Sequence, residues 1–235
     1  MYQNVGGMNT KLNDFYINAS SSDCDVIAIS ETWLSSSILS TEIVDSNQYE
    51  VFRCDRNFQQ LNLTRGSGAM LLIRNSFQCE RLNLQFIREL IPMIDVVGCK
   101  VKINVVISVY VFVFYIPPQI SASDFSLVLD CIEQLNVLYE SNVVCVGDFN
   151  VPCFKNFINS NVNDIKSAYL SRFLNVMDFQ QFNDIPNCDG RFLDLVCSNL
   201  KCNVQHDVSA LLPESRYHPA LLTTFCVPHH TNPNS

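Results

Sequence analysis

The segment Val143–Asn150, VVCVGDFN, decides how this chain is read. Four apolar residues, β-branched valine on both sides of Cys145, lead into Gly147 and then into Asp148, Phe149 and Asn150. A short continuous apolar run of this kind predicts a buried central strand. Gly147 marks a place where the chain turns or lets another backbone approach closely. Side chains alternate in an extended segment, so Asp148 and Asn150 are expected to share one face while Phe149 points into the core. A carboxylate and an amide then stand together at the carboxyl end of a strand, where α/β proteins tend to place their chemistry. Taken alone, the same letters also read as a strand followed by an Asx-type turn.

Working outward, the pattern repeats. Asp25–Ser30, DVIAIS, predicts a second buried strand, and Glu31 follows it at once in ETWL. Tyr49–Arg53 predicts a further strand. RGSGAMLLIR, Arg65–Arg74, reads as a glycine turn entering a strand. Met93–Val101 and Asn104–Tyr115 read as two strands joined tightly at Lys102 and Ile103, the second stopped by Pro117 and Pro118, which cannot continue a ladder. Arg191–Val196 reads as a strand with Asp194 inside it, and Val204–Val208 and Ala220–Cys226 as the last two, with His218 and Pro219 between them. A helix is expected from a cap at Asn9 or Thr10 to about Asn18. Another runs from Ser121 or Ser123 to about Tyr139, and a third over Ser167–Val176. Pro152–Asn163 reads as a loop. No repeat or linker divides the chain. One domain over residues 1–227 is expected, followed by a polar tail over 228–235.

Composition bounds the function. With 235 residues, 48% hydrophobic and 16% charged, the chain is of a globular type with room for a substantial core. Its net charge of −8 is the opposite of what nonspecific nucleic-acid coating requires, yet compatible with an enzyme that grips an anionic substrate through a metal and a local basic rim. The eleven cysteines are scattered, with no CxxC pair and no zinc spacing, and read as buried free thiols of a reducing, intracellular compartment, nuclear or cytoplasmic. The most apolar segment, Val105–Tyr115, is too short to cross a bilayer.

The polar residues that these strand ends present are Asn4, Glu31, Tyr115, Asp148 with Asn150, Asp194 and His218. In this order, QNVGG, ISETWL, RGSGAMLLIR, YIPP, VVCVGDFN, RFLDLV and SRYHPAL resemble the endonuclease/exonuclease/phosphatase superfamily, the DNase I-like fold. The likeness extends from residue 3 to residue 221 and is nearest to the apurinic-type endonuclease domain of non-LTR retrotransposons. It implies a four-layer α/β sandwich, two packed mixed sheets flanked by helices. It also implies that Glu31, with Asn4 beside it, is the ligand of a divalent metal, Mg²⁺ or alternatively Mn²⁺. Asp148 then orients or deprotonates the attacking water, Asn150 and Tyr115 hold the phosphate, and Asp194 orients His218. Arg65 is a candidate phosphate contact, with a plain glycine turn as the alternative. An acidic residue buried in an apolar strand needs a partner, and His218 is the candidate for Asp194. His206, His229 and His230 are expected in solvated loops or the tail.

The implied activity is a Mg²⁺-dependent DNA endonuclease, a monomer, that nicks one strand and leaves a 3′-hydroxyl able to prime reverse transcription. In a full-length element such a domain precedes a reverse transcriptase, so the chain is a fragment, an isolated domain or a degenerate copy. A phosphoesterase of the same fold acting on a small or lipid phosphoester is one alternative. A catalytically dead remnant that only binds nucleic acid or a partner is another. The lost Asp and the negative net charge motivate the last, and two departures from the pattern bear on activity. Tyr217 stands where the superfamily usually has an Asp before the final His, leaving Glu214 the nearest carboxylate. Gly6 and Gly7 replace a usual basic residue near Asn4.

Overall fold

The computed structural model describes residues 1–55, 66–139, 141–159 and 163–227. Arg65 and the expected tail, with His229 and His230, lie outside them. Twelve strands form two mixed six-stranded sheets. The first contains β1 (Tyr2–Asn4), β2 (Val26–Ser30), β3 (Tyr49–Cys54), β4 (Ala69–Arg74), β11 (Cys202–His206) and β12 (Leu221–Phe225), in the order β11-β12-β1-β2-β4-β3. The second contains β5 (Gln78–Arg81), β6 (Asp95–Lys102), β7 (Ser108–Tyr115), β8 (Asn142–Asp148), β9 (Gln180–Gln181) and β10 (Asp194–Ser198), in the order β5-β6-β7-β8-β10-β9. Among the described residues only β1 with β2 and β7 with β8 pair in parallel. Among the described residues no helix is long and apolar enough to cross a membrane.

Strand β7 shows why these residues build layers. Its valines 109, 111 and 113 face the other sheet, in a core shared with Ala28, Leu71 and Val146. Its alternate residues Tyr110, Phe112 and Phe114 face α3 (Ala122–Glu133) and α5 (Ile165–Val176), among Phe125, Leu129, Leu170 and Phe173. A strand buried on both faces reads as an unbroken apolar run, and strand alternation then sorts small branched residues inward and aromatics outward. On the far side of the first sheet, α1 (Leu12–Ser20) lays Phe15 and Ala19 against Ile27, Ile29 and Leu72. Gly147 remains inside β8, and a Cβ there would lie 2.3 Å from the Phe114 carbonyl, so glycine permits close approach of the two parallel strands.

Several local expectations shift. Asn9 does not start α1, because its side-chain amide donates to the Trp33 carbonyl instead, and Lys11 stands at the cap position. Ser121 caps α3 by accepting from Asp124 N–H at 3.0 Å, but the helix stops at Glu133 so that the chain can reverse through a 3₁₀ turn into β8. The region read as a loop after Val151 holds a short helix, α4 (Phe154–Asn159), with Phe154 buried in the second core. Between β6 and β7, Asn104 accepts from the N–H groups of Val106 and Ile107 through its side chain, and this Asx turn overrides the strand preference of the valines. The strand read from Arg191 begins at Asp194 instead, so Asp194 opens β10 and does not sit within it. β11 and β12 begin or end a residue or two from their expected bounds. The edge strands β5 and β9 and helix α2 (Gln85–Leu90) are short and carry no clear apolar period.

Candidate active site

Strand direction assembles the site. The carboxyl ends of β1, β2, β7 and β8 reach one end of the sandwich, where β10 begins and the chain approaches β12. Register does the rest: Asn4 pairs with Ser30, Tyr115 with Asp148, and Asp148 with Asp194. The structure therefore brings Asn4, Glu31, Asp148, Asp194 and His218 together, and sets Tyr115 beside Asp148.

Asn4 joins the two sheets. Its buried amide nitrogen donates to Glu31 Oε1 and to Asp148 Oδ2, both at 3.0 Å, while its oxygen accepts from Gly6 N–H. Glu31 follows β2 in a left-handed backbone conformation, φ 52°, and Trp33 adopts another, φ 55°. The Trp33 indole N–H donates to Glu31 Oε2 at 3.2 Å. Gly7 has φ 92°, and a Cβ on it would lie 2.4 Å from the Trp33 ring. Gly7 thus makes room for the tryptophan that holds Glu31, whereas a Cβ on Gly6 would meet nothing within 4 Å.

On the other side, His218 Nδ1 hydrogen-bonds Asp194 Oδ2 at 2.9 Å, which turns Nε2 towards Asp148 Oδ2, 3.9 Å away. Asp194 Oδ1 accepts from the Tyr2 hydroxyl at 2.8 Å, and Tyr2 in turn meets Ser30 Oγ at 2.7 Å. Sequence reasoning missed Tyr2 and Trp33, because an aromatic next to a strand reads as core and only its polar tip betrays another role. Asn150 departs from the expected alternation. Its φ of 50° breaks the extended backbone, its N–H supports Asp148 Oδ1 at 3.2 Å, and one of its amide hydrogens is committed to the Ile116 carbonyl. Phe149 points into the core as expected, 5.2 Å from Phe114 between ring centroids.

Glu214 does not take the place of the missing Asp. It accepts from Ala220 N–H and pairs with His206 Nε2 at 2.9 Å. His206 is consequently a paired residue at the end of β11, not a loop histidine. Tyr217 is 44% exposed, with the Arg216 guanidinium over its ring at 5.1 Å.

The electrostatics follow from this crowding. Burial raises the Asp148 carboxyl well above the ordinary range. The charge of Asp194 adds to that rise, His218 opposes it, and Glu31 raises it further. For His218, burial pulls the imidazole down, but the hydrogen bond and charge of Asp194, with Asp148 and Glu31 behind them, outweigh burial and push it up to about 9. Burial, with Glu31 and Asp148 nearby, raises the Tyr115 phenol, which keeps it protonated as a donor. Three acidic side chains crowd one imidazole, a surplus of acid over base that a bound cation would offset. Ligand atoms of Glu31, Asp148 and His218 lie within 4.8 Å of one another. Each Glu31 oxygen accepts only one hydrogen bond and keeps a lone pair free. The Glu31 and Asp148 oxygens of this group are hard and fit a divalent cation better than a soft metal, whereas the protonated His218 ring has no lone pair to offer one.

No family model matches the sequence, and no curated protein matches it. Solved structures do match its fold. The endonuclease domain of TRAS1, a telomere-specific non-LTR retrotransposon, superposes with a TM-score of 0.67 at 12% identity, over 94% of this chain and 95% of that one. The 3′ phosphatase NExo from Neisseria, bound to a product DNA hairpin, gives 0.66 at 12% identity, over 96% and 99%. An AP endonuclease from Archaeoglobus fulgidus gives 0.58 at 14% identity, over 96% and 98%. Likeness at such identities is likeness of architecture, and two packed six-stranded mixed sheets with outer helices complete it: the chain has a DNase I-like fold.

Proposed function

We propose that this chain is a metal-dependent phosphoesterase that nicks one strand of DNA, leaving a 3′-hydroxyl and a 5′-phosphate. One observation carries the reading: a single amide, Asn4, ties Glu31 to Asp148 across the two sheets, directly opposite a His218 clamped by Asp194. The similar structures, which include endonucleases and a DNA-bound phosphatase, point the same way.

Glu31, with Asn4 beside it, would hold the cation, Mg²⁺ or Mn²⁺, which when bound offsets charge on the phosphate and its transition state. The remaining work falls to the chain. Asp148 accepts the proton of the attacking water, and its raised affinity for protons makes it a stronger base than an ordinary carboxylate. The water oxygen bonds to phosphorus as the bond to the 3′ oxygen breaks, and that oxygen takes up a proton from solvent. His218, charged and fixed through Nδ1, presents Nε2–H to a non-bridging oxygen. Tyr115 donates to developing charge, and the free N–H of the Asn150 amide is placed to assist. Arg65 is proposed as a phosphate contact on the strength of its sequence position alone. The eleven free thiols agree with a reducing intracellular location, and the overall likeness with origin in a retrotransposon whose reverse transcriptase uses the 3′-hydroxyl.

Incubation with supercoiled plasmid and Mg²⁺, with and without EDTA, tests this. Metal-dependent open circles are expected. A second reading, a remnant that binds DNA or a partner without cutting, is favoured by Tyr217 and by the diversion of Glu214 to His206. Plasmid binding with no open circles at high protein would select it. Turnover of a small phosphoester without nicking would select a phosphoesterase of other substrate.

A further inference from the structure

Asp95 opens β6 in the second sheet and is fully buried, yet nothing in the chemistry above uses it. Its Oδ2 accepts two short hydrogen bonds from the segment that leads into β4 of the first sheet, from Ser67 Oγ at 2.6 Å and from Gly68 N–H at 2.7 Å. Arg88 and the Cys54 thiol approach Oδ1 only at 3.5 Å. The two short bonds therefore dominate what the carboxylate holds.

What it holds touches the site on two sides. The Gly66-Ser67-Gly68 backbone is left-handed throughout, with φ of 84°, 74° and 97°, a conformation that needs outside support at Ser67. Its N–H side grips Asp95, and its carbonyls accept from the turn that follows Glu31: Ser67 C=O from Trp33 N–H at 3.1 Å, Gly68 C=O from Thr32 N–H at 3.2 Å. Trp33 in turn donates its indole N–H to Glu31. Tyr115 sits opposite Asp95 in the β6–β7 register, and its hydroxyl lies against the same segment, 3.2 Å from where a Cβ on Gly66 would stand.

We propose that Asp95 is a positioning residue that fixes the left-handed segment 66–68, and through it sets the metal-side carboxylate Glu31 and the phosphate-side phenol Tyr115 at once. The inference rests on the reading that Glu31 holds a cation. A buried carboxylate is a weak source of net stability, so a role in orientation accounts for its presence where packing alone would favour an apolar side chain. Supports that bond a metal ligand directly, as Trp33 bonds Glu31, typically change metal affinity by about 10- to 100-fold when lost; Asp95 acts through that support, so the low end of the range is expected.

Trp33 is the chain's one tryptophan, so its fluorescence reports on this segment directly. The test compares Asp95→Asn, Ser67→Ala and Glu31→Gln with wild type by Mn²⁺ binding (electron paramagnetic resonance of free Mn²⁺), Trp33 emission and acrylamide quenching, plasmid nicking and thermal midpoint. Asp95→Asn should weaken Mn²⁺ binding about tenfold and redden and expose Trp33 at temperatures where the protein is folded. Ser67→Ala, which removes one arm, should do the same to a smaller degree, and it decides the matter if Asp95→Asn does not fold. A purely structural Asp95 would lower the midpoint and leave Mn²⁺ affinity and emission alone. Wild-type Mn²⁺ affinity with unaltered Trp33 emission in folded Asp95→Asn and Ser67→Ala, while Glu31→Gln loses Mn²⁺, overturns the proposal and leaves the enzyme reading intact. If wild type neither binds Mn²⁺ nor nicks, the enzyme reading has failed, and unaltered Trp33 emission in the variants then overturns the positioning role separately.

Discussion

The two ends of the sandwich are built from the same strands and held by different rules. At one end, every side-chain oxygen and nitrogen of Asn4, Asp148 and Asp194 has a hydrogen-bond partner, and Asn4 fixes the distance between the sheets. At the other, Val26, Val109, Val111, Val144 and Val146 border a cavity of about 560 Å³ between the same two sheets. Strand β8 runs from one regime to the other, from Val144 in the cavity wall to Asp148 in the site. Hydrogen bonds demand particular distances and directions, whereas apolar contact rewards filled volume in any arrangement. The polar end should therefore respond steeply to single polar changes and the valine end weakly, through volume alone.

The steepest response is expected at Glu31. Glu31→Gln keeps size and the acceptor for Asn4 but removes the charge that would hold the cation, so metal-dependent nicking should vanish while the thermal midpoint stays near wild type. Full activity of Glu31→Gln at low Mg²⁺ would take Glu31 out of the metal site.

Asp194→Asn comes next. Loss of the carboxylate that fixes an imidazole through Nδ1 can cost on the order of 10³-fold or more in turnover. Stability should change as well. With the imidazole raised from 6.5 to about 9, the interaction stabilises the fold fully below pH 6.5 and is lost as pH rises to 9, a difference on the order of 3 kcal/mol. Asp148, raised in the same fold, slopes the same way. Urea unfolding in EDTA from pH 6 to pH 9.5 should show wild type losing stability over that window and Asp194→Asn losing far less. Parallel curves would mean that Asp194 does not hold the proton on His218.

What was legible in the sequence divides along the same line. VVCVGDFN, ETWL and LDLV announced themselves because an apolar run ended or interrupted by a carboxylate is both a strand signal and a breach of it. Burial cost required some partner for Asp194, the resemblance pointed to His218, and the two are hydrogen-bonded at 2.9 Å. Contacts that depend on a backbone leaving the extended state stayed hidden. Asn150, Glu31, Trp33 and Ser67 all have positive φ, which alternation cannot foresee. Glu214 lies near His218 in sequence but is claimed by His206 on β11 and by Ala220 N–H, contacts that only the register of β11 with β12 creates. The short polar edge strands lacked any period to read.

A smaller effect tests the altered flank of the site. Tyr217→Asp restores a negative charge beside His218, and Glu214, engaged elsewhere, is not expected to repel it. One partly exposed charge is worth under about 1 kcal/mol, so nicking at limiting Mg²⁺ should rise by no more than about fivefold. Glu214→Gln should leave the Mg²⁺ dependence unchanged. An unchanged Mg²⁺ curve for Tyr217→Asp would show that this flank does not limit metal binding, and a shift for Glu214→Gln would show that Glu214 reaches the site after all.

The smallest effect belongs to the valine end, and it must be positive to support the contrast. Val144→Ile adds one methylene at a buried position in the cavity wall. If volume alone governs there, the added group meets space without forcing another side chain off its rotamer, and burial contributes up to about 0.8 kcal/mol. Thermal unfolding should then shift up by a few degrees at most, with nicking rate and Mg²⁺ dependence equal to wild type. The same β8 carries Asp148, so the activity readout is the informative one. A methylene that stabilises the fold but slows nicking would mean that spacing at the valine end is transmitted along β8 to the carboxylate. The two ends would then be one mechanical unit, with Asn4 sensing the separation of the sheets instead of setting it.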